Sequence, residues 1–350
     1  MYFNQLQLDT ATPSLAATSD PIVLCAADDN YVKPLAVTLF SAANSLRAGS
    51  RLNVLLMDGG LKESSWHGLK ETFADVPIDI HVIRPDLNAV SDLMTSHHIT
   101  KTAYLRLLAG KWLPESINKV IYLDSDVLVR GDLNELWEYE LGDHYCLAVP
   151  DIACPHVDAR LGNSNFKKSS PYLASLSPIQ NWKELGLAPE GSYFNSGVMV
   201  LNIDRWRREN IETKLLSCLR NNAKFVWCWD QYALNVVFAG QWGKLPLRWN
   251  QGAHVFEFPD HDHLPVCPEQ YREMLADPAI IHFTTEWKPW HYRPFHPLRE
   301  AFYECLDQTA WKGWRPEKPD FSVKDEWTRF AVAFAKQFTI YYRKTRNFWR

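Results

Sequence analysis

The sequence predicts an α/β fold in which helices cover both faces of a mostly parallel sheet. Between Pro21 and Leu123, short apolar runs alternate with segments of helical periodicity, and this alternation is typical of parallel sheets. The apolar runs are rich in Val, Ile and Leu, as strands buried on both faces are. Hydrophobic residues make up 46% of the 350-residue chain, which is enough for a large core.

The elements follow one another along the chain. Short apolar runs are predicted to be strands, and they lie at 21–27, 52–57, 78–83, 120–123, 197–202 and 280–283. Segments with apolar residues at helical spacing are predicted to be helices, and they lie at 32–46, 63–73, 100–113 and 230–238. Residues 151–192 are rich in Pro, Ser, Asn and Gly, and a loop of this length is usually functional or mobile.

Three segments divide the chain. Residues 1–20 are polar and small and are expected to form a loose N-terminal arm, whereas residues 21–292 carry the predicted sheet. Residues 293–350 form a C-terminal extension in which 326–350 interleaves aromatic with basic residues. We weigh two interpretations of this tail equally: a helix that associates with an anionic membrane, or a helix packed on the core with its basic residues in water.

Composition restricts the partners and the location. The net charge is −4 and the isoelectric point is about 6.3, so no overall basic field favours nucleic acid. Seven cysteines are widely spaced without a CxxC pair, which is typical of a reducing compartment. The sequence shows neither a signal-peptide pattern nor a membrane-spanning apolar run. We therefore expect a cytoplasmic protein, with the tail suggesting peripheral contact with the inner face of the membrane.

Two carboxylates interrupt the apolar run at 119–129. Asp124 and Asp126 are two residues apart, so in an extended chain both side chains point to the same side. Two anions that face one spot repel each other unless a cation lies between them, and oxygen ligands suit Mg²⁺ or Mn²⁺. The alternative is a solvated turn after a strand.

A histidine and a lysine follow the last predicted strand. His282 lies near the end of the apolar run at 280–283, and Lys288 follows six residues later. Neutral imidazole is a good ligand for a first-row divalent ion, and an ammonium group can contact a diphosphate as a point charge. The alternatives are a hydrogen-bonded core histidine and an ordinary surface lysine.

Other polar residues lie at the ends of predicted elements. Asp28 follows the first strand, where ligands of open parallel sheets bind. Asn195 offers the donors and acceptors that sugar hydroxyls require, and Gly197 permits close backbone approach. Asp230 and Gln231 begin a predicted helix, although Asp230 could simply cap it.

Taken together, the motifs resemble those of the family 8 retaining glycosyltransferases. They occur in the family's order across residues 21–292, and they are Ala26-Ala27-Asp28-Asp29-Asn30-Tyr31, Tyr104-Leu105-Arg106, Tyr122-Leu123-Asp124-Ser125-Asp126, Phe194-Asn195-Ser196-Gly197, Asp230-Gln231 and His282 through Lys288-Pro289-Trp290. The resemblance implies a GT-A fold that binds a UDP-sugar and Mn²⁺, with Mg²⁺ as the alternative ion. It also makes 21–292 the catalytic domain.

The resemblance further implies roles for individual residues. Ala26, Asp28 and Asn30 would hold the uridine, and Arg106 and Ser125 would reach the nucleotide-sugar. Asp124, Asp126 and His282 would bind the metal, and Lys288 would touch the diphosphate. Asp151, Asn195, Gly197, Asp230 and Gln231 would surround the donor sugar. Many members have glycine three residues after the metal-binding histidine; Thr285 occupies that position here.

The expected reaction moves galactose or glucose from a UDP-sugar to a glycan or glycolipid acceptor in lipopolysaccharide or other cell-surface glycan synthesis. We favour attack by the acceptor on the face that UDP leaves, because the neutral amide of Gln231 is a weak nucleophile. Asp230 is the alternative nucleophile.

Three rival functions are a protein O-glycosyltransferase of the same family, a metal-dependent nucleotidyltransferase and a lectin-like module. A nucleotidyltransferase would need a Gly-rich phosphate loop after the first strand, where the chain is acidic instead. A lectin-like module would bind free sugar without needing UDP.

Overall fold

The computed structural model describes residues 4–5, 15, 18–94, 100–285, 288–292 and 296–317. Strands β1 to β11 span Asn4–Gln5, Ile22–Ala27, Leu52–Asp58, Ile78–Ile83, Lys119–Leu123, Val127–Val129, Cys146–Pro150, Phe194–Asn202, Trp242–Lys244, Gln251–Gly252 and Ile280–His282. Helices α1 to α11 span Val32–Asn44, Glu63–Thr72, Ala109–Trp112, Leu133–Trp137, Ala159–Gly162, Phe166–Ser169, Ile203–Arg208, Ile211–Asn221, Trp229–Val237, Pro268–Ala276 and Arg299–Leu306.

The main sheet has eight strands in the order β1-β4-β3-β2-β5-β8-β7-β9. The strands from β1 to β5 pair in parallel, as do β7 and β9. Strand β8 runs antiparallel to β5 and β7, so its first residues lie at the same edge as the ends of the parallel strands. The predicted α/β fold with a mostly parallel sheet is confirmed.

Two layers of buried side chains cover the faces of this sheet. Alternate residues of β2 face different layers, because Leu24 belongs to one cluster and Val23 to the other. Trp206 of α7 packs in the first layer, and Leu35 of α1 packs in the second. All six residues of β2 are buried, which explains the continuous apolar run in its sequence.

A three-stranded sheet in the order β10-β11-β6 lies beside the main one. The apolar run at 119–129 is therefore not a single strand: β5 ends at Leu123, and the chain enters the small sheet as β6. Strand β6 pairs antiparallel with β11, placing Val127 opposite His282. The hydroxyl of Thr38 on α1 donates to the Val127 carbonyl over 2.7 Å, which attaches this sheet to the helix layer.

Two predicted segments differ from the structure. Most of the helix predicted at 100–113 is a 3₁₀ segment, Lys101–Leu108, followed by the short α3. Its three-residue repeat places Ala103 and Arg106 on one side. The arm at 1–20 is not wholly loose, because β1 pairs in parallel with β4 and Leu15 is buried.

The described part of the C-terminal extension packs on the core. Phe302 of α11 contacts the rings of Phe283 and Trp290. The ring of Trp311 packs against Gly68 of α2 so closely that a Cβ at this glycine would clash with it. Among the described residues, no helix is long and apolar enough to cross a membrane. The tail at 326–350 lies outside the described residues, so both interpretations of it stay predictions.

His296 makes the stability of this region pH-dependent. Burial, and then the positive charge of Lys288, lower the pKa of His296 to about 3. The unfolded chain binds this proton below about pH 6.5, so stability falls as pH falls through that value. We expect His296→Phe to reduce the loss of unfolding free energy between about pH 7.5 and about pH 5 by about 2 kcal/mol.

Urea denaturation at the two pH values measures this difference. His67→Phe at an exposed position is the control, and an unchanged pH difference in His296→Phe would contradict the assignment.

Candidate functional site

A cavity of about 210 Å³ opens where β2 and β5 end and β8 begins. Ligands of open α/β sheets bind at this edge. Most of the predicted site residues line it: Ala26, Asp28, Arg106, Asp124, Ser125, Asp126, Asn195, Asp230, Gln231, His282 and Lys288. Residues far apart in sequence meet here because the parallel strands end, and the antiparallel strand β8 begins, at the same edge of the sheet.

Asp124, Asp126 and His282 form a cluster in this cavity. Each offers one ligand atom, and the three atoms lie within 4.8 Å of one another. His282 Nε2 is 3.2 Å from Asp126 Oδ1 and 3.7 Å from Asp124 Oδ2. The pairing of β6 with β11 creates this arrangement, since the Phe283 N–H donates to the Asp126 carbonyl over 3.1 Å.

A buried arginine holds the other oxygen of Asp124. Arg106 Nη2 lies 2.5 Å from Asp124 Oδ1, and the Tyr122 hydroxyl donates to the same oxygen over 2.9 Å. Asp124 Oδ2 is thereby turned toward His282. Burial opposes the charge of Arg106, but Asp124 and Asp230 outweigh it and raise the arginine pKa.

Asp126 is held by a lysine. Lys288 Nζ is 2.6 Å from Asp126 Oδ2 and also donates to the Phe283 carbonyl. Burial opposes the charged form of Asp126, but the ammonium group of Lys288 outweighs it and lowers the carboxyl pKa. Lys288 lines the cavity, although Thr285 occupies the position three residues after His282.

Asp230 contributes a carboxylate to the opposite wall. Its Oδ2 is 3.3 Å from Arg106 Nε and 3.4 Å from the Ser196 hydroxyl oxygen. Burial raises the Asp230 pKa to about 6, although Arg106 opposes the rise. Asp230 is not the cap of α9, because Cys228 occupies that position.

A chain of amides sets the tautomer of His282. The Gly197 N–H can only donate, and it donates to Asn195 Oδ1 over 3.0 Å. Asn250 Nδ2 donates to that oxygen over 2.9 Å, so Asn250 Oδ1 faces His282 Nδ1, 2.9 Å away. The proton of His282 then lies on Nδ1, and Nε2 turns a lone pair toward the carboxylates.

The buried Oδ1 of Asp126 agrees with this tautomer. It has no hydrogen-bond partner among the described residues, despite lying 3.2 Å from His282 Nε2. An Nε2 lone pair cannot donate a proton to it. Two carboxylate oxygens and one imidazole nitrogen thus face one point without hydrogen bonds among them, and this donor set suits a divalent metal ion.

A second set of hydrogen bonds fixes Gln231 and Asp151. The Ser196 N–H donates to Gln231 Oε1 over 3.0 Å, and Gln231 Nε2 donates to Asp151 Oδ2 over 3.2 Å. Asn195 Nδ2 donates to the same carboxylate oxygen over 3.3 Å. Gln231, which lines the cavity, is thereby hydrogen-bonded to Asp151, which does not line it.

At the other end of the cavity, Asp28 is enclosed by donors. It accepts hydrogen bonds from the Asn30 N–H at 2.9 Å and from the Thr100 hydroxyl at 2.6 Å. The Thr102 hydroxyl lies 3.3 Å away. Asp28 thus shapes the turn after β2 as well as lining the cavity.

Three predicted site residues do not line this cavity. Asn30 is exposed and contributes its backbone to the Asp28 turn. Asp151 lines a neighbouring cavity instead. Gly197 has no side chain, which lets His282 and Asp124 pack against it. A Cβ there would lie 2.1 Å from His282 Cε1 and 2.8 Å from Asp124 Oδ2.

Several lining residues escaped the sequence analysis. Tyr31 belongs to the motif after β2 but carried no predicted role, and Thr100 had no distinguishing signal. Trp229 adopts a positive φ of 42° beside Asp230, which is rare for a bulky side chain. Asn250 lines the neighbouring cavity and belongs to none of the motifs; it immediately precedes β10, whose pairing with β11 places it beside His282.

This sheet, with a carboxylate and histidine cluster at the strand ends, defines a glycosyltransferase of the GT-A fold. The profile of Glycosyl transferase family 8 matches residues 22–293, and the chain therefore belongs to that family.

Known relatives agree with this assignment. General stress protein A of Bacillus subtilis is 30% identical over 83% of this chain and 94% of its own length. The lipopolysaccharide 1,2-glucosyltransferase of Escherichia coli K12 is 26% identical over 61% of this chain and 56% of its own length. A crystal structure of the galactosyltransferase LgtC with donor and acceptor sugar analogs is 25% identical, covering 85% of this chain and 98% of LgtC, with a TM-score of 0.67.

The space around Gly197 yields a test of the cluster. We expect Gly197→Ala to weaken Mn²⁺ binding about tenfold or more, because its Cβ must displace His282 or Asp124. A titration of free Mn²⁺ followed by electron paramagnetic resonance measures the affinity without a substrate.

Gly110→Ala is the matched control, since its Cβ would have no neighbour closer than 3.7 Å. Wild-type Mn²⁺ affinity in Gly197→Ala would contradict the proposed cluster.

Proposed function

We propose that this glycosyltransferase transfers galactose or glucose from a UDP-sugar to a glycan acceptor with retention of configuration, using Mn²⁺. The observation that carries the proposal is the convergence of Asp124, Asp126 and His282 in the cavity that Asp28 and Lys288 also line. A uridine diphosphate needs polar groups at its base and ribose end and positive charge at its phosphates. The two ends of this cavity have that chemistry.

The relatives support the class of acceptor. One is a lipopolysaccharide glucosyltransferase, and LgtC was crystallised with donor and acceptor sugar analogs. The chain spans 56% of the former and 98% of the latter. Cell-surface glycan synthesis is therefore the role we propose, with a protein acceptor as the alternative. A cytoplasmic enzyme is part of this proposal, with the two interpretations of the tail, contact with the inner face of the membrane and packing on the core, kept as alternatives.

The metal would be held by Asp124 Oδ2, Asp126 Oδ1 and His282 Nε2. These are the atoms that hydrogen bonds from other groups leave facing one another. A bound divalent ion supplies Lewis-acid stabilisation of the charge on the departing diphosphate. Mg²⁺ is the alternative ion, although an imidazole ligand favours Mn²⁺.

Side chains of this protein perform the remaining work. Lys288 lines the cavity beside Asp126 and can place its ammonium group against phosphate oxygens that carry developing charge. Arg106 keeps Asp124 oriented and lies between it and Asp230. Asp28, Tyr31 and Ala26 line the end proposed for the uridine.

The wall beside the donor sugar favours attack by the acceptor on the face that UDP leaves. Gln231 Oε1 accepts a hydrogen bond from the Ser196 backbone, and its nitrogen donates to Asp151. An amide oxygen is a weak nucleophile, and this one is occupied. Gln231 is therefore proposed to position the sugar, while the leaving phosphate oxygen accepts the proton of the acceptor hydroxyl.

Asp126→Ala tests the proposed activity. We expect it to abolish Mn²⁺-dependent release of UDP from UDP-galactose and UDP-glucose, because a metal ligand and the partner of Lys288 are both lost. A coupled assay of UDP release over a small panel of UDP-sugars measures this effect.

Asp262→Ala removes an exposed carboxylate and is the control. Full activity in Asp126→Ala would refute the metal assignment. Wild-type protein that binds sugars but neither UDP nor Mn²⁺ would favour the lectin-like alternative.

Asp230→Asn distinguishes the two routes to retention. We expect turnover to fall by about tenfold or less, because the amide keeps the shape of the site while weakening the contact with Arg106. A nucleophilic Asp230 would instead lose about 10³-fold or more.

Single-turnover kinetics with Mn²⁺ binding measured in parallel would separate chemistry from loss of the metal. A loss of the larger size with the metal still bound would establish Asp230 as the nucleophile.

A further inference from the structure

The residue before Asp230 has an unfavourable backbone conformation. Trp229 has a φ of 42°, in the left-handed region, where the Cβ of an L-residue crowds the following carbonyl oxygen. Among the described residues other than glycine, only Asn210 shares a positive φ, and asparagine tolerates this region better than a bulky residue does. Strain of this kind persists only where the surrounding structure enforces it, and it is concentrated at active sites and ligand clamps.

Hydrogen bonds to the sheet hold the helix that begins at Trp229. Asn235 Oδ1 accepts from the Phe194 N–H over 2.8 Å, and Asn235 Nδ2 donates to the Phe194 carbonyl over 2.9 Å. One turn earlier, Gln231 Oε1 accepts from the Ser196 N–H over 3.0 Å. These contacts join α9 to β8 and fix the direction of the helix. The strain therefore falls on the residue at which the chain enters it.

The indole of Trp229 belongs to both the core and the first cavity. It is partly buried against the layer that contains Trp206, and it also lines the cavity. Two other large aromatic side chains line this cavity. Tyr122 is 1% exposed and lies beneath the guanidinium group of Arg106, and Tyr31 lies at the end proposed for the uridine. Trp229 is thus the large aromatic residue at the end proposed for the sugar.

A hexose in this cavity needs an apolar surface as well as polar partners. Its pyranose ring has hydroxyl groups at the rim and an apolar face of C–H groups. The side chains of Asp230, Gln231 and Asn195 line the cavity and can bond the hydroxyl groups, but they offer no surface for the C–H face. The indole of Trp229 supplies that surface, and a rigid aromatic ring packs on a ligand with little loss of conformational entropy.

We propose that the donor hexose packs on the indole of Trp229, and that the left-handed backbone is retained because it places the indole in the cavity. This inference rests on the proposed function, to which it adds a donor-binding residue. Because the indole contacts the sugar and neither the uridine nor the diphosphate, Trp229 contributes to the affinity for a UDP-sugar but not to that for UDP. A tryptophan that only packed on the core would affect both ligands alike.

Affinities of the full chain for UDP and for UDP-hexoses separate these two roles. Calorimetry with Mn²⁺ present and no acceptor measures the dissociation constants of UDP, UDP-galactose and UDP-glucose. We expect Trp229→Gly to weaken the UDP-hexose that the wild type binds by about tenfold or more, while the affinity for UDP changes by about twofold or less. Trp229→Phe should retain most of the affinity, because it keeps an aromatic face.

Trp227→Gly is the matched control, because Trp227 precedes Trp229 by two residues, is 41% exposed and does not line the first cavity. It should leave the affinities for UDP and for the UDP-hexose unchanged. Equal weakening of both ligands in Trp229→Gly, or no change in either, would overturn the inference alone. Wild type that binds neither UDP nor a UDP-hexose would refute the proposed function itself.

Thermal unfolding tests the backbone conformation separately. Trp229→Gly and Trp229→Ala both remove the indole, so the difference between them reports the cost of the left-handed conformation. We expect Trp229→Gly to unfold at the higher temperature, because glycine adopts a positive φ without strain and alanine does not. The opposite order is what helix propensity alone predicts, and it would contradict the proposed strain.

Discussion

The repulsion among three carboxylates that line one cavity is the constraint on which this site depends. Asp124, Asp126 and Asp230 all line one cavity, and charge without compensation is very costly in such a place. Arg106 lies between Asp124 and Asp230, and Lys288 holds Asp126. Each contact uses one oxygen of its carboxylate, which leaves an oxygen of Asp124 and one of Asp126 facing His282. Charge compensation and metal binding are thus built from the same groups.

A chain of hydrogen bonds that starts at the backbone orients the side chains of the site. The Gly197 N–H fixes the amide of Asn195, which fixes Asn250, which in turn fixes the proton on His282. From Asn195 a second path runs through Asp151 to Gln231. The groups proposed to bind the metal and the donor sugar therefore share one hydrogen-bonded network. A shift of any of these amides would change the geometry at both positions.

The sequence was most reliable where a residue's role follows from a local pattern. The strands at 21–27 and 78–83 and the helix at 230–238 were recognisable because apolar spacing and polar ends depend on neighbours in the chain. Asp124 and Asp126 stood out because charge is rare in an apolar run. Asn250 and Thr100 carried no such signal. Each is an ordinary residue in its own segment and acquires a role only through what the fold places beside it.

The sequence by itself determined the family, the alternation of strands and helices and the cluster of Asp124, Asp126 and His282. Local periodicity and ordered motifs are enough for these. Only the tertiary structure decided that the apolar run at 119–129 divides between two sheets and that Gly197 makes room for His282. It also decided that Asp151 faces a second cavity. These features depend on strand pairing and on side-chain contacts between distant segments, and a linear pattern carries no information about either.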